Sequence, residues 1–301
     1  MLNSEIFRGV VAPIVAPCEE KSEALDRSRL ERVCRLLLDT PISGLYINGG
    51  TGDGSNLTTS ERRDVAAYLV PEAKKAGKCA IVHVGQTLQR EAVALSEHAM
   101  TLGADAVASI PPRSGWDEIV QYYTALAATG APVFVYYIPG VTGITAGMPQ
   151  LRRILEIPGV AGIKLSDWNI FLIRCIKQEF PEKIVYSGLD EMLVPGLLYG
   201  ADGTIGTWIN LLPRFYCKVW QLAQAGRGDS LLTLQRAYTE FLSFGWQFGI
   251  LDAFQELMRA KDLAQRCFRR PSAWVPGSMP KELLDTMLSK LDGLDKLAAS
   301  L

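Results

Sequence analysis

The chain has 301 residues, of which 48% are hydrophobic and 21% charged, the balance of a soluble globular protein. Its formal net charge of −1 gives no support for binding to nucleic acid or to an anionic membrane surface. No apolar run approaches the roughly 18 residues that a membrane-spanning helix needs.

Short apolar runs alternate with amphipathic segments at a repeat of about 25 residues. The runs are rich in Val, Ile and Ala, as is typical of strands buried on both faces of a parallel sheet. They are residues 10–15, 44–48, 80–84, 104–110, 133–138, 160–165, 184–187 and 203–207. Amphipathic segments between them include residues 28–38, 59–76, 90–102 and 170–179, and the Thr58–Glu61 spacing predicts a capping box.

Eight strand–helix units within about 225 residues predict a (β/α)8 TIM barrel, an α/β fold, rather than an open sheet. Beyond residue 226 the strand pattern ends, and residues 231–248, 251–266 and 280–301 are predicted to form three additional C-terminal helices. We therefore expect a barrel over residues 1–226 that carries the reactive site. Residues 227–301 are expected to form a helical extension packed on it.

Cysteines and histidines offer little material for a metal site or a disulfide frame. The six cysteines lie far apart with no CxxC pair, which predicts reduced thiols in a cytoplasmic protein. The first eight residues lack the pattern of a signal peptide, which agrees with that location. Of the two histidines, His98 is interpreted as a surface or packing residue and His83 as a hydrogen-bonded core residue. No metal is therefore predicted.

Functional side chains of such barrels gather at the carboxyl ends of the strands. Lys164 ends the sixth predicted strand, Tyr136 lies at the end of the fifth, and a glycine-rich loop at residues 49–54 follows the second. Residues 188–191 and 206–207 follow strands seven and eight, so all of these should face one mouth. A lysine on an apolar strand is costly to bury as a cation and can become a nucleophile; the alternative is a lysine that simply reaches water.

Three motifs together raise the first interpretation above the second. They are the sequence YYIP that begins at Tyr136, the sequence GIK that ends at Lys164, and the sequence GTGD of residues 50–53. In this combination the chain resembles the dihydrodipicolinate synthase / N-acetylneuraminate lyase family of pyruvate aldolases that form a Schiff base. The resemblance covers nearly the whole chain, including the C-terminal helices.

The resemblance implies a role for each of these residues. Lys164 would form a Schiff base with the keto carbon of a 2-oxo acid, and Tyr136 would transfer protons. Thr51, with the backbone of Gly50 and Gly52, would hold the pyruvate carboxylate. No cofactor beyond the covalent lysine adduct is implied, and a homo-oligomer, commonly a tetramer, is expected.

Residues after strands six, seven and eight resemble the lyase branch of the family. Gly188, Asp190 and Glu191 match the pattern in which an acid pair accepts hydrogen bonds from the hydroxyls of a sugar-derived chain. The alternative is that the two acids merely stabilise a helix N-terminus. Ser166 and Thr207 match hydroxyl-bearing positions of the lyases.

Four departures from the family pattern bear on the substrate. Val141 stands where the synthases place a carboxylate-binding arginine, which argues against a semialdehyde partner. Gly50 replaces a serine or threonine, and Asp53 replaces a glutamate. The segment 111–116 lacks the usual tyrosine pair, and its Arg113 is either a surface residue or an anion contact.

The predicted function is a carbon–carbon lyase of the aldolase type that cleaves a small, sugar-derived 2-oxo acid to pyruvate and an aldose. The preferred substrate is N-acetylneuraminate, for which the aldose is N-acetylmannosamine. A sister activity is the first alternative: an aldolase or dehydratase for 2-keto-3-deoxy sugar acids, or dihydrodipicolinate synthase. The second alternative is a barrel that binds a 2-oxo acid as a sensor without turnover. Partners other than the small-molecule substrate, such as nucleic acid or a membrane, are not expected.

Overall fold

Eight parallel strands close into a barrel in chain order, as expected from the alternation of apolar runs and helices. The computed structural model describes residues 4–301, so the first three residues of the predicted barrel segment lie outside it. The strands are β1 Gly9–Pro13, β2 Gly44–Ile47, β3 Cys79–His83, β4 Ala106–Ser109, β5 Val133–Tyr137, β6 Val160–Leu165, β7 Ile184–Ser187 and β8 Gly203–Thr204. Because β8 also pairs with β1, the (β/α)8 prediction is confirmed.

Helices surround the barrel and extend beyond it at the C-terminus. They are α1 Arg27–Leu38, α2 Thr59–Lys75, α3 Gln89–Thr101, α4 Trp116–Ala127, α5 Pro139–Thr142, α6 Met148–Leu155, α7 Phe171–Glu179, α8 Leu193–Leu198, α9 Pro213–Gln224, α10 Gly228–Phe248, α11 Ile250–Ala260 and α12 Lys281–Ser300. The last three confirm the predicted C-terminal helices. Among residues 4–301 no helix is both long and apolar enough to span a bilayer.

Several predicted boundaries differ from those of the structure, and two of them lie near the mouth or in the C-terminal extension. The eighth strand, predicted over residues 203–207, ends at Thr204, and Thr207 begins a short 3-10 turn, Thr207–Asn210. The helix predicted over residues 251–266 ends at Ala260, because the chain turns there to bring the next segment back to the barrel.

The amino end of the barrel interior is filled by aromatic side chains. Phe7 packs edge-on against Phe134 at 5.3 Å between ring centroids, and Phe134 lies 5.5 Å from the ring of Tyr186. The Tyr186 hydroxyl donates to the backbone oxygen of Phe7, which anchors this plug. Since these rings close one end, only the carboxyl ends of the strands leave space for a reactive site.

Local hydrogen bonds explain where α2 begins. The Thr58 hydroxyl accepts from the backbone N–H of Glu61, and the Glu61 carboxylate accepts from the backbone N–H of Thr58. The predicted capping box is therefore present. It places the start of α2 directly after the glycine-rich loop that follows β2.

A buried ion pair joins the glycine-rich loop to the segment after α11. Nη1 of Arg269 lies 3.3 Å from Oδ2 of Asp53, and both side chains are nearly inaccessible to solvent. The same carboxylate oxygen accepts the backbone N–H of Arg269 at 2.8 Å. The segment between α11 and α12 therefore supports a loop at the mouth. The division of the chain at residue 226 stays a prediction.

Removing this cation should destabilise the fold. We expect Arg269→Met to lower the free energy of unfolding by about 3 kcal/mol, because it leaves Asp53 charged and buried without its partner. Urea unfolding would measure the change. The neighbouring Arg270→Met is the matched control, because the Arg270–Glu23 pair lies at the surface and its loss should change little. Equal stability of the two variants would contradict the structural role of Arg269.

Candidate active site

Lys164 lies at the centre of the mouth, near the end of β6, and is only 5% exposed. Its Nζ is 4.0 Å from the centroid of the Tyr136 ring and 5.2 Å from that of Tyr46. The β5–β6 register pairs Tyr136 directly with Lys164. Among residues 4–301 no carboxylate oxygen lies within 4.0 Å of Nζ of Lys164, the limit for an ion pair. The amine therefore faces ring surfaces rather than a counter-ion.

Three rings form the floor beneath the lysine. Tyr46, His83 and Tyr136 lie 6.1 to 6.2 Å from one another between centroids, two of the three pairs edge-to-face. Burial, with the nearby cations Arg62 and Lys164, holds the pKa of His83 well below its usual range, so the ring is neutral. Its Nε2 accepts the backbone N–H of Ile110 at 3.2 Å. His83 is therefore a neutral, hydrogen-bonded part of this floor.

The glycine-rich loop places Thr51 at the mouth. Backbone hydrogen bonds close the turn, from Asp53 N–H to Gly50 oxygen and from Gly54 N–H to Gly49 oxygen, both at 3.0 Å. A Cβ on residue 54 would lie 1.9 Å from the backbone oxygen of Asn48, so only glycine fits there. Gly50, in contrast, has open space around its α-carbon.

The hydroxyl of Thr51 has a partner from the other side of the mouth. Its Oγ1 lies 2.9 Å from Oγ1 of Thr207, in the turn that follows β8. This pair brings together two predicted site residues that are 156 positions apart in the sequence. Gly52, also in the loop, approaches the backbone oxygen of Ile14 so closely that a Cβ would lie 2.8 Å from it.

Gly188 lies against the Ser166 hydroxyl and the last methylene of the Lys164 side chain. A Cβ on residue 188 would lie 2.1 Å from Oγ of Ser166 and 3.0 Å from Cε of Lys164, so glycine is required at this contact. Oγ of Ser166 is buried and has no hydrogen-bond partner among residues 4–301. Because buried hydroxyls are normally paired, this one has capacity for a ligand.

The two predicted acids of the mouth have different environments. Asp190 turns into the protein, where Oδ2 accepts the backbone N–H of Thr207 at 2.9 Å and Oδ1 accepts the hydroxyl of Tyr216. Desolvation raises the pKa of Asp190 to about 6. The carboxylate of Glu191 makes no hydrogen bond within the described part of the chain.

Arg113 lies in the loop between β4 and α4. Its side chain is exposed, and its Nη2 donates to the backbone oxygen of Val141 at 3.2 Å. Between residues 4 and 301 there is no group of three or more histidine, cysteine, aspartate or glutamate side chains that could hold a metal ion.

Three residues of the site were missed in the sequence. Tyr46 is signalled by the two-residue period of β2, which points it to the barrel interior. The buried Arg62 donates to the backbone oxygens of His83 and Gly85, at 2.6 and 2.8 Å, and no sequence pattern marks it. Tyr216 lies in the first turns of α9 and resembles an ordinary core residue.

A (β/α)8 barrel with a buried lysine, a tyrosine and paired hydroxyls at one mouth has the architecture of an enzyme. The model of the dihydrodipicolinate synthetase family matches residues 6–289. The chain belongs to this family.

Named relatives lie in the lyase branch. The chain is 32% identical over 240 residues to N-acetylneuraminate lyase of Escherichia coli, and equally to that of Escherichia fergusonii, covering 78% of this chain and 79% of each relative. The family match and these relatives confirm the predicted family and the predicted enzyme class, a carbon–carbon lyase.

Solved structures confirm the fold. Ruminococcus gnavus sialic acid aldolase superposes with a TM-score of 0.88 at 23% identity, covering 97% of this chain and 99% of that one. N-acetylneuraminate lyase from Fusobacterium nucleatum complexed with pyruvate gives a TM-score of 0.86 at 23% identity, with 96% and 97% covered.

Proposed function

We propose that the chain is a class I aldolase that cleaves a sugar-derived 2-oxo acid through a Schiff base on Lys164. Its proposed substrate is N-acetylneuraminate, and its products are pyruvate and N-acetylmannosamine. The observation that carries the proposal is the buried amine of Lys164, which lies 4.0 Å from the centroid of the Tyr136 ring and has no carboxylate partner among residues 4–301. The lyase relatives at 32% identity support the choice of substrate.

The first chemical step joins the lysine to the substrate. The amine of Lys164, in its neutral form, attacks the C2 carbonyl carbon. The resulting carbinolamine takes up a proton and loses water to give a protonated Schiff base. No metal or organic cofactor takes part in the proposed step.

The second step breaks the carbon–carbon bond. The oxygen of Tyr136 takes the proton of the C4 hydroxyl while its own phenol proton passes to the substrate carboxylate. The C3–C4 electron pair moves into the iminium, and the aldose leaves. The resulting enamine takes a proton at C3, and water then releases pyruvate and restores Lys164. Tyr136 is proposed as the proton carrier because its ring lies against the lysine amine.

The remaining predicted residues are proposed to bind the substrate. Thr51, with the backbone of Gly50 and Gly52, would hold the carboxylate next to C2, and Thr207 would assist through its hydroxyl contact with Thr51. Ser166 would donate its buried hydroxyl, which has no hydrogen-bond partner in the described part of the chain.

Recognition of the sugar-derived chain is proposed for the other side of the mouth. Glu191, whose carboxylate has no hydrogen bond within residues 4–301, would accept from chain hydroxyls, with Gly188 and Asp190 beside it. Val141, at the position where the synthases carry an arginine, supports a hydroxylated chain over a semialdehyde carboxylate.

A substrate panel tests the proposal. The kcat/KM for pyruvate release should be higher with N-acetylneuraminate than with 2-keto-3-deoxy sugar acids. It should also exceed the kcat/KM for pyruvate consumption in the presence of aspartate semialdehyde. Loss of water from a 2-keto-3-deoxy acid without release of an aldehyde would instead indicate a dehydratase. Turnover of no member would contradict the enzyme and favour a sensor of 2-oxo acids.

The assembly is proposed on the family resemblance, and the location on the six widely spaced cysteines without a CxxC pair. We place the protein in the cytoplasm as a homotetramer that takes a small-molecule substrate. Light scattering of the purified chain would test the assembly, and a monomer would contradict it.

A further inference from the structure

A chain of hydrogen bonds runs from the C-terminal helices to the mouth. Tyr216 on α9 and Tyr238 on α10 are fully buried, and their hydroxyl oxygens lie 2.5 Å apart. The Tyr216 hydroxyl also contacts Oδ1 of Asp190. This series of hydrogen bonds therefore connects Asp190 to two helices outside the barrel wall.

The direction of this chain follows from its chemistry. An ionised carboxylate only accepts hydrogen bonds, so the Tyr216 hydroxyl donates to Asp190. Because the Tyr216 hydroxyl donates its only proton to Asp190, its oxygen accepts a hydrogen bond from the Tyr238 hydroxyl. Burial and the neighbouring carboxylate raise the pKa of both tyrosines well above their usual range, so both remain donors.

The other oxygen of Asp190 leads to the loop at the mouth. Oδ2 accepts the backbone N–H of Thr207 at 2.9 Å, and the Thr207 hydroxyl lies 2.9 Å from that of Thr51. A Cβ on residue 206 would lie 2.0 Å from Oδ1 of Asp190, so the carboxylate packs directly on the backbone of Gly206. Asp190 is thus held from both sides and can act on the mouth only through Thr207.

We propose that Tyr216 and Tyr238 are positioning residues, which keep Asp190 in its carboxylate form and thereby fix the Thr207–Thr51 hydroxyl pair where the substrate carboxylate binds. The inference rests on the proposed function and deepens it. It makes Asp190 a support for the carboxylate end of the site and leaves Glu191 as the acceptor for the hydroxyl chain.

Protonation of Asp190 should limit the reaction at low pH. The charged and titratable groups that face it are Glu191 beside it, Lys164 from β6, Tyr216 from α9 and Tyr238 from α10. Desolvation raises the pKa of Asp190 to about 6, and the Tyr216 hydrogen bond opposes that rise. Below this pH the protonated acid could no longer accept from both sides, and the hydroxyl pair would lose its support.

The test is the pH dependence of kcat/KM for pyruvate release, which reports ionisations of the free enzyme. Tyr216→Phe should move the acid limb upward by about one to two pH units, the size expected for one hydrogen bond to a charged group. Tyr238→Phe should move it in the same direction by less, and serves if the first variant fails to fold.

Tyr123→Phe is the matched control. Tyr123 is also fully buried, and its hydroxyl donates to the backbone oxygen of Ser109 at 2.7 Å. This hydrogen bond is not part of the series that leads to Asp190. An acid limb unchanged in both folded variants, or moved equally by Tyr123→Phe, would overturn the inference.

The same pH series can be run on borohydride trapping of pyruvate, which needs no sugar acid. Absence of an adduct in the wild type would refute the proposed function and this inference with it. An adduct whose pH profile is the same in wild type and Tyr216→Phe would refute only the positioning role.

Discussion

Lys164→Met is expected to lower pyruvate release by a factor of about 10⁴ or more, because the Schiff base cannot form without the amine. The methionine side chain is of similar length and needs no counter-ion in the aromatic surround of Tyr46 and Tyr136. The variant should therefore fold and melt at or above the temperature of the wild type. Steady-state assays and a thermal melt would measure both effects.

Lys183→Met is the matched control for this prediction. Lys183 is half-buried, and its Nζ donates to the backbone oxygen of Val160 at 2.6 Å, at the opposite end of the same strand β6. Its removal should leave kcat within about a factor of two, because it lies far from the mouth. A Lys164→Met variant that keeps a tenth of wild-type activity would contradict the assignment.

Tyr136→Phe is expected to lower kcat about 10² to 10⁴-fold while still forming an adduct with pyruvate. The ring would remain beneath the lysine amine, so only the proton transfer that accompanies carbon–carbon cleavage is lost. Single-turnover assays, together with borohydride trapping, would separate the two steps.

The neighbouring tyrosine supplies the control. Tyr137 points out of the barrel, where its hydroxyl accepts the backbone N–H of Ala146 at 2.9 Å. Tyr137→Phe should reduce kcat only slightly. Equal losses in the two variants would mean that Tyr136 contributes packing rather than proton transfer.

Periodicity was enough to predict the barrel. Each strand is buried on both faces and each outer helix on one, so the apolar pattern of residues 160–165 or 133–138 directly reflects its position. The juxtaposition of Tyr136 and Lys164 follows once β5 and β6 are neighbours in register.

The periodic pattern of apolar residues does not predict which polar side chains contact one another. Asp190 was predicted at the mouth, but its contact with Tyr216 depends on how α9 packs, 26 residues later. Arg269 and Asp53 are 216 positions apart, and nothing in the local sequence of either residue distinguishes a buried ion pair from two surface charges. Such contacts are decided by tertiary packing.

Trapping of pyruvate by borohydride, followed by mass spectrometry of the digested protein, tests whether Lys164 forms the Schiff base. We expect one reductively attached pyruvate on the peptide that contains Lys164, and none when borohydride or pyruvate is omitted. No adduct, or an adduct on another lysine in the presence of an unmodified Lys164, would contradict this expectation.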